Sequence, residues 1–176
     1  MSDSSNEAAK RRRFEAVVGQ YTQDLFRYAF WLSRDRAHSE DVVQESLLRA
    51  WKAFDRLNDE GSAKQWLLTI VRRENARVFE RKRLQTVDID NVDQGADESL
   101  SVKSNTDVDD VREALMRLED DYREPLVLQV LMGHSTDEIA KIMAIKPGAV
   151  LTRLFRARKK LRAVLESDGV PAFVQE

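Results

Sequence analysis

Apolar residues recur along this chain at steps of three and four, the spacing that lays them along one face of a helix. Phe14, Val17, Val18, Tyr21, Leu25, Phe26 and Ala29 make the first such face. Ser39 is placed to open a second helix, with Glu40 and Asp41 favourable in its first turn and with Val42, Val43, Leu47, Ala50, Trp51 and Phe54 as its apolar positions. Asn58-Asp59-Glu60-Gly61-Ser62 reads as a loop. A third helix is predicted over 63–84, with Trp66, Leu67, Ile70, Val71 and Phe79 inward.

The periodicity then lapses. Residues 85–107 are rich in Asp, Asn, Ser, Gln and Gly and hold few large apolar groups. Such a stretch cannot bury enough surface to offset the entropy of ordering it, and its length places it between domains rather than within one. Asp107 is positioned to cap a helix carrying Val111, Leu115 and Leu118, and a further helix over 122–132 is ended by Gly133. Ser135 and Glu138 form a capping box, and Pro147 suits the first turn of a last helix, where its missing N–H has no partner to lose. No strand is predicted. The fold class is all-α, with domains at 8–84 and 108–168 joined by an acidic linker at 85–107.

Composition narrows the chemistry. A length of 176 residues allows one large or two small domains. The chain has no cysteine, which excludes disulfides and thiolate metal sites. His38 and His134 are distant in sequence and lack ligand-type neighbours, so both are expected at the surface or in turns, with no metal and no cofactor. No Gly-rich phosphate loop or nucleophile–base pair points to an enzyme. No apolar run approaches the roughly 20 residues that cross a bilayer. The polar N-terminus leads into Lys10-Arg11-Arg12-Arg13 without the apolar stretch of a secretory signal, so a cytoplasmic location is expected, without membrane insertion.

The net charge of −2 hides a segregation. Between Lys146 and Arg162 there are seven basic residues and no acidic one, whereas 88–110 hold eight acids and the single Lys103. Screening confines each block to its own neighbourhood, about 8–10 Å. A capped helix followed by a basic one is the form of a helix-turn-helix, whose second helix enters the major groove. Ile139, Ile142, Met143, Ile145, Val150 and Leu154 are expected to form its small core, with Ala140 allowing close approach. Leu151, Thr152, Phe155 and Arg156 then face base edges, while Arg153, Arg158, Lys159, Lys160 and Arg162 suit phosphates. On these residues alone, a stand-alone helix-turn-helix regulator or a helical adaptor with an acidic partner remains open.

Three segments in order carry a more specific resemblance. Tyr122-Arg123-Glu124-Pro125-Leu126-Val127-Leu128, Glu138-Ile139-Ala140, Gly148-Ala149-Val150 and Arg153-Leu154-Phe155-Arg156-Ala157-Arg158-Lys159-Lys160-Leu161 resemble the promoter-reading C-terminal domain of bacterial sigma factors. Glu40-Asp41-Val42-Val43-Gln44-Glu45-Ser46 with Arg49-Ala50-Trp51 resembles their polymerase-binding helix, and Trp66-Leu67-Leu68-Thr69-Ile70-Val71-Arg72-Arg73 the helix after it. Order, spacing and length are similar to the extracytoplasmic-function (ECF) group of the sigma-70 family.

The resemblance implies a transcription initiation factor that directs core RNA polymerase to promoters. The C-terminal domain would read the −35 element. Asp41, Gln44, Glu45, Leu48, Arg49 and Trp51 would dock on the β′ clamp helices, with the β flap as a further contact; Trp51 suits the core equally well. The loop 57–64 and the third helix would open and read the −10 element through Asn58, Asp59, Gly61, Ser62, Lys64, Arg72, Arg73, Arg77 and Arg81. Trp66 fits the core better than a stacking platform. Asp88, Asp90, Asp93, Asp97 and Glu98 would thread the polymerase's cationic cleft, or form a simple tether. Promoter DNA and an anti-sigma factor are the other implied partners, with the nucleoid, or the inner membrane through the anti-sigma factor, as location.

The sequence departs from the family pattern at three places. Ala149 replaces a common threonine. Arg73 stands where asparagine is frequent, which shifts weight toward a phosphate contact. Leu151 replaces a basic or polar residue, and an apolar side chain cannot take guanine's acceptors; a lower demand for guanine at that step is expected.

Overall fold

The computed structural model describes the backbone of residues 2–86 and 106–169, and the side chains of 6–81 and 110–169 within them. Among the described residues the structure is helical, and its helices fall into two compact units. The acids Asp88, Asp90, Asp93, Asp97 and Glu98 lie outside the described residues, as does most of the expected linker.

The first unit packs three helices against one another: α1 (Ser2–Ser33), α2 (Arg36–Ala53) and α3 (Ala63–Thr86). Leu25, Tyr28 and Ala29 of α1, Val42, Val43 and Ala50 of α2, and Leu67, Leu68 and Val71 of α3 make its buried core. α2 opens before Ser39. Asp35 is extended (φ −131°, ψ 123°) and accepts from the His38 N–H, so it is the cap. Ser39 is fully buried one turn in and donates its hydroxyl to the Asp35 carbonyl at 2.6 Å. Glu40 and Asp41 therefore lie beyond the first turn, where a helix dipole gives an acid little.

The predicted loop before α3 is partly ordered into 3-10 turns at Phe54–Arg56 and Glu60–Ser62, the second capped by the Asp59 side chain on the Gly61 N–H. Along α3 the buried stripe runs through Leu67, Val71, Glu74 and Val78. Phe79 lies one residue past that stripe, about 100° round the helix, and is 61% exposed, contrary to the inward placement expected of it. Trp66 and Ile70 are half-buried.

The second unit contains α4 (Thr106–Arg117), α5 (Asp120–Leu126), α6 (Thr136–Met143) and α7 (Pro147–Ser167). α4 already begins at Thr106, so Asp107 falls inside the helix instead of capping it. Ala114, Leu115 and Leu118 form its buried stripe, whereas Val111, at the edge, is exposed. The single helix expected over 122–132 starts at Asp120 and widens after Leu126 into a π-helical turn, Val127–Leu131. Gly133 ends it with φ +73°, a conformation that costs a residue with a Cβ more than glycine.

The helix-turn-helix follows the expected pattern. The capping box is complete: the Ser135 hydroxyl oxygen accepts from the Glu138 N–H, and the Glu138 carboxylate accepts from the Ser135 N–H at 2.8 Å. α6 ends on Ala144 in the left-handed region (φ 55°, ψ 44°), with the Ile145 N–H closing back on the Ala140 carbonyl at 3.0 Å. This pairing is that of a Schellman end, which usually employs glycine. Ile139, Ile142, Met143, Val150 and Leu154 are buried as expected, and Ile145 is half-buried.

Both histidines are buried; for His38, inside α2, this departs from the expected surface or turn position. His38 packs between α2 and α3 with Nε2 3.0 Å from Asn75 Oδ1. His134 sits in its turn, but buried, with Nδ1 3.7 Å from the Glu138 carboxylate. No metal-binding cluster occurs among the described residues, and no described helix is long and apolar enough to cross a membrane.

Candidate nucleic-acid interface

α7 has one buried side, Val150, Leu154 and Ala157. Their spacing turns Leu151, Thr152, Phe155 and Arg156 outward, and all four are exposed. The cations farther along differ in freedom. Arg156, Lys159 and Arg162 stand exposed. Arg153 is half-buried and pairs with Asp121 at 3.0 Å. Arg158 donates to Gln129 Oε1 at 2.5 Å, and Lys160 pairs with Glu119 at 3.1 Å while lying over the Tyr122 ring. A phosphate meeting Arg153, Arg158 or Lys160 must share them with these partners. Glu138, in the first turn of α6, is held below the usual carboxylate range, first by the Ser135 backbone N–H and then by the Ser135 hydroxyl.

The α3 side of the first unit is knit more tightly. Within the preceding turn, Asp59 and Ser62 serve the turn itself, the Ser62 hydroxyl donating to the Asp59 carbonyl at 2.8 Å. A Cβ on Gly61 would approach Asp59 Oδ1 to 3.2 Å, so this turn leaves little room there. Asn58 is exposed, and Lys64 pairs with Asp24 of α1 at 2.8 Å. On α3, Arg73 and Arg81 are exposed and Arg72 is half-buried. Arg77 donates to Glu74 at 2.8 Å.

Glu74 is a residue that hydrophobic periodicity does not detect. Its side chain is 3% exposed and accepts from two helices, Arg49 of α2 at 2.7 Å and Arg77 of its own α3. It thereby holds Arg49, expected at the polymerase, and Arg77, expected at DNA. The sequence signal was present: an acid at a position of the apolar stripe, flanked by arginines.

The run Lys10-Arg11-Arg12-Arg13 also acquires a role. Lys10 pairs with Asp55 at 2.5 Å and lies 4.9 Å from the Trp51 ring, and Arg13 pairs with Glu60 at 2.9 Å and lies 5.7 Å from the Phe54 ring. The start of α1 thus braces the connection from α2 to α3.

The outward face of α2 carries Asp41, Gln44, Leu48 and Arg49 exposed, with Glu45 partly so. Leu48 is 59% exposed. Trp51 is half-buried, its ring edge-on to Phe14 at 5.2 Å. Gln44, Leu47, Leu48 and Trp51 share an open groove with Arg11, Phe14 and Glu15 of α1. Trp51 is therefore both a packing residue and a groove wall.

Known proteins agree with this layout. Residues 17–84 match the family model for Sigma-70 region 2, and residues 109–161 match that for Sigma-70, region 4. The region 2 match removes the stand-alone regulator, which accounts only for the second unit. The ECF RNA polymerase sigma factor SigL of Mycobacterium tuberculosis is 34% identical over 170 residues, covering 93% of this chain and 94% of that protein. SigX of Bacillus subtilis, also an ECF RNA polymerase sigma factor, is 28% identical over 162 residues, covering 87% and 84%. Among solved structures, the sigma factor RpoE in complex with the anti-sigma factor NepR from Bartonella quintana aligns with a TM-score of 0.78 at 28% identity, over 89% of this chain and 99% of that one. CnrH, solved with the cytosolic domain of CnrY, aligns with a TM-score of 0.65 at 25% identity, over 90% of each chain. The chain belongs to the ECF group of the sigma-70 family, the alternative sigma factors that bind core RNA polymerase and promoter DNA to start transcription.

Proposed function

We propose that the two units divide promoter recognition as follows. The 108–168 domain reads the −35 element, with Leu151, Thr152, Phe155 and Arg156 on base edges and Arg153, Arg158, Lys159, Lys160 and Arg162 along phosphates. The 8–84 domain docks on the β′ clamp helices through Asp41, Gln44, Glu45, Leu48, Arg49 and Trp51. The same domain reads the −10 element with Asn58, Asp59, Gly61, Ser62, Lys64, Arg72, Arg73, Arg77 and Arg81. The β flap takes the second unit, and the acidic 85–107 segment follows the polymerase's cationic cleft. An anti-sigma factor holds the chain inactive in the cytoplasm or at the inner membrane.

Opening the duplex requires no catalytic group from this chain. Unstacking costs a few kcal/mol per base, and a surface that binds the separated strand better than the duplex shifts that equilibrium. One observation supports the division most: an exposed leucine beside a groove on α2 and an exposed apolar–cationic face on α7 occur on separate units.

Reconstitution with core polymerase on genomic DNA tests it. The 5′ ends of the RNAs should cluster at sites that core alone does not use. Arg156→Ala should relax selection upstream, and Leu48→Asp should abolish holoenzyme formation while the melting curve is kept. Identical start sites with and without the chain would refute the assignment.

A further inference from the structure

The outward face of α7 presents mainly carbon. Leu151 is 58% and Phe155 70% exposed. Thr152 donates its hydroxyl to the Gly148 carbonyl at 3.0 Å, so its donor is engaged within the helix and its methyl is what remains to offer. Arg153 is turned to Asp121. Arg156 is left as the exposed guanidinium among these positions. Two large apolar side chains held in water have no use within the unit, whose core is already closed by Val150, Leu154 and Ala157.

We propose that Leu151, Thr152 and Phe155 read thymine C5-methyl groups in the major groove and that Arg156 reads a single guanine. The proposal rests on α7 being the −35 reader and specifies what it reads. Leucine and phenylalanine offer nothing to guanine N7 and O6 or to the cytosine amino group, whereas the thymine methyl is the one apolar feature on a major-groove edge. Residues one helical turn apart rise about 6 Å, close to two base-pair steps of about 3.4 Å each, so Leu151 and Phe155 address different pairs. Exposed Lys159 and Arg162 on the same helix supply the attraction to phosphates that brings the apolar face to DNA. The preferred upstream element is thymine-rich on the contacted strand, with one required guanine.

The test uses holoenzyme made from the full chain and core polymerase, selecting from duplexes randomised across the upstream element. The enriched duplex is remade with deoxyuridine for thymine, and separately with 5-methylcytosine for cytosine at contacted steps changed from thymine. Each methyl removed should weaken binding about threefold to fourfold, and a methyl on cytosine should restore part of that loss. Leu151→Ala should become insensitive to deoxyuridine at its own step, and Leu151→Arg should move selection there to guanine. Leu151 is on the surface, so an unchanged melting curve for both substitutions separates recognition from folding. Binding that is indifferent to deoxyuridine, or an invariant guanine opposite Leu151, overturns the proposal. If no upstream sequence is enriched, the −35 assignment falls and this inference with it, a result plainly different from selection blind to methyl groups.

Discussion

The two helices proposed to face DNA, α7 and α3, solve different problems. α7 keeps its base-facing residues unencumbered: Leu151, Phe155 and Arg156 project from a helix anchored by a small apolar core. On the first unit several of the expected contact residues are already engaged: Lys64 is held by Asp24, and Arg77 and the docking candidate Arg49 by Glu74, while Arg73 and Arg81 stand exposed. A duplex has a fixed groove, and a rigid, preformed face suits it. A separating strand has no fixed shape, and a surface that reads it gains from having its long side chains fixed in advance, because their rotamer entropy is then already lost.

Glu74 is the sharpest place to break that contrast. Glu74→Ala removes a buried carboxylate joining α2 to α3 and leaves both arginines half-exposed, able to find water. Loss of a buried charge partner usually costs about 3–5 kcal/mol when the remaining charge is stranded; here the remaining charges reach solvent, so about 1–3 kcal/mol is expected. Urea denaturation measures it. Glu74→Gln should weaken binding of a −10 single strand when Arg77 is present and add nothing in an Arg77→Ala background. Equal losses in both backgrounds would make Glu74 a packing residue only.

The second unit depends instead on its helix ends. Ser135→Ala should cost about 1 kcal/mol at neutral pH, the ordinary worth of an N-cap. The penalty depends on pH in a definite sense. Glu138 is held below its usual range by the Ser135 N–H and hydroxyl, so its contribution is complete above the ordinary glutamate value of about 4.3 and disappears as pH falls through the lower folded value. Ser135→Ala removes the hydroxyl contact and keeps the N–H, so the gap between wild type and variant should narrow on acidification below that range without closing. A gap that stays constant would mean that the Ser135 hydroxyl acts only as the cap of the Glu138 N–H and not on its carboxylate. The first unit, whose first described cap is Asp35 on the His38 N–H, should be insensitive to the Ser135 substitution.

Ala144→Gly changes stability in the opposite direction. A left-handed alanine is strained where glycine is not, so the substitution should stabilise the second unit by about 0.5–1 kcal/mol. A destabilised variant would show that the alanine methyl packs between α6 and α7 more than its backbone is strained.

How much of this was legible beforehand varies with the physical signal. Periodicity located the helices and most of both cores, and Ser135-Thr136-Asp137-Glu138 specified its own cap because all the partners lie within one turn. It erred where a decision depended on contacts distant in sequence. Phe79 counts among the inward apolar positions expected of α3, but the buried stripe passes through Glu74 and Val78 instead. Ser39 looked like a cap, yet Asp35 took the helix start: its backbone is extended, its side chain accepts from the His38 N–H, and Arg34 just before it turns the chain with φ 60°. The π-helical turn after Leu126 and the burial of both histidines left no periodic trace. Leu151 was the opposite case: its departure from the family pattern was visible in the sequence, and only its exposure beside Phe155, with the Thr152 hydroxyl bonded back to the Gly148 carbonyl, gave that departure a chemical meaning.

The smallest effect expected is at the start of α1, and it separates stability from function. Lys10–Asp55 and Arg13–Glu60 are surface pairs, with Asp55 72% and Glu60 54% exposed. Each is worth about 0.2–1 kcal/mol and less in salt, with a similar amount from each cation over its ring. Lys10→Ala with Arg13→Ala should thus lower the urea midpoint only slightly. The connection they brace leads directly into α3, so its loosening should be felt most when the −10 strand must be held open. Open-complex lifetime on a duplex promoter should shorten, while affinity for an upstream duplex carrying only the −35 element, contacted by the other unit, stays the same. If both readings fall together, the cations act as general phosphate attractors; if neither moves, the run at 10–13 is a solvated helix start, and the contrast between a free α7 and a braced α3 rests on Glu74 and Asp24 alone.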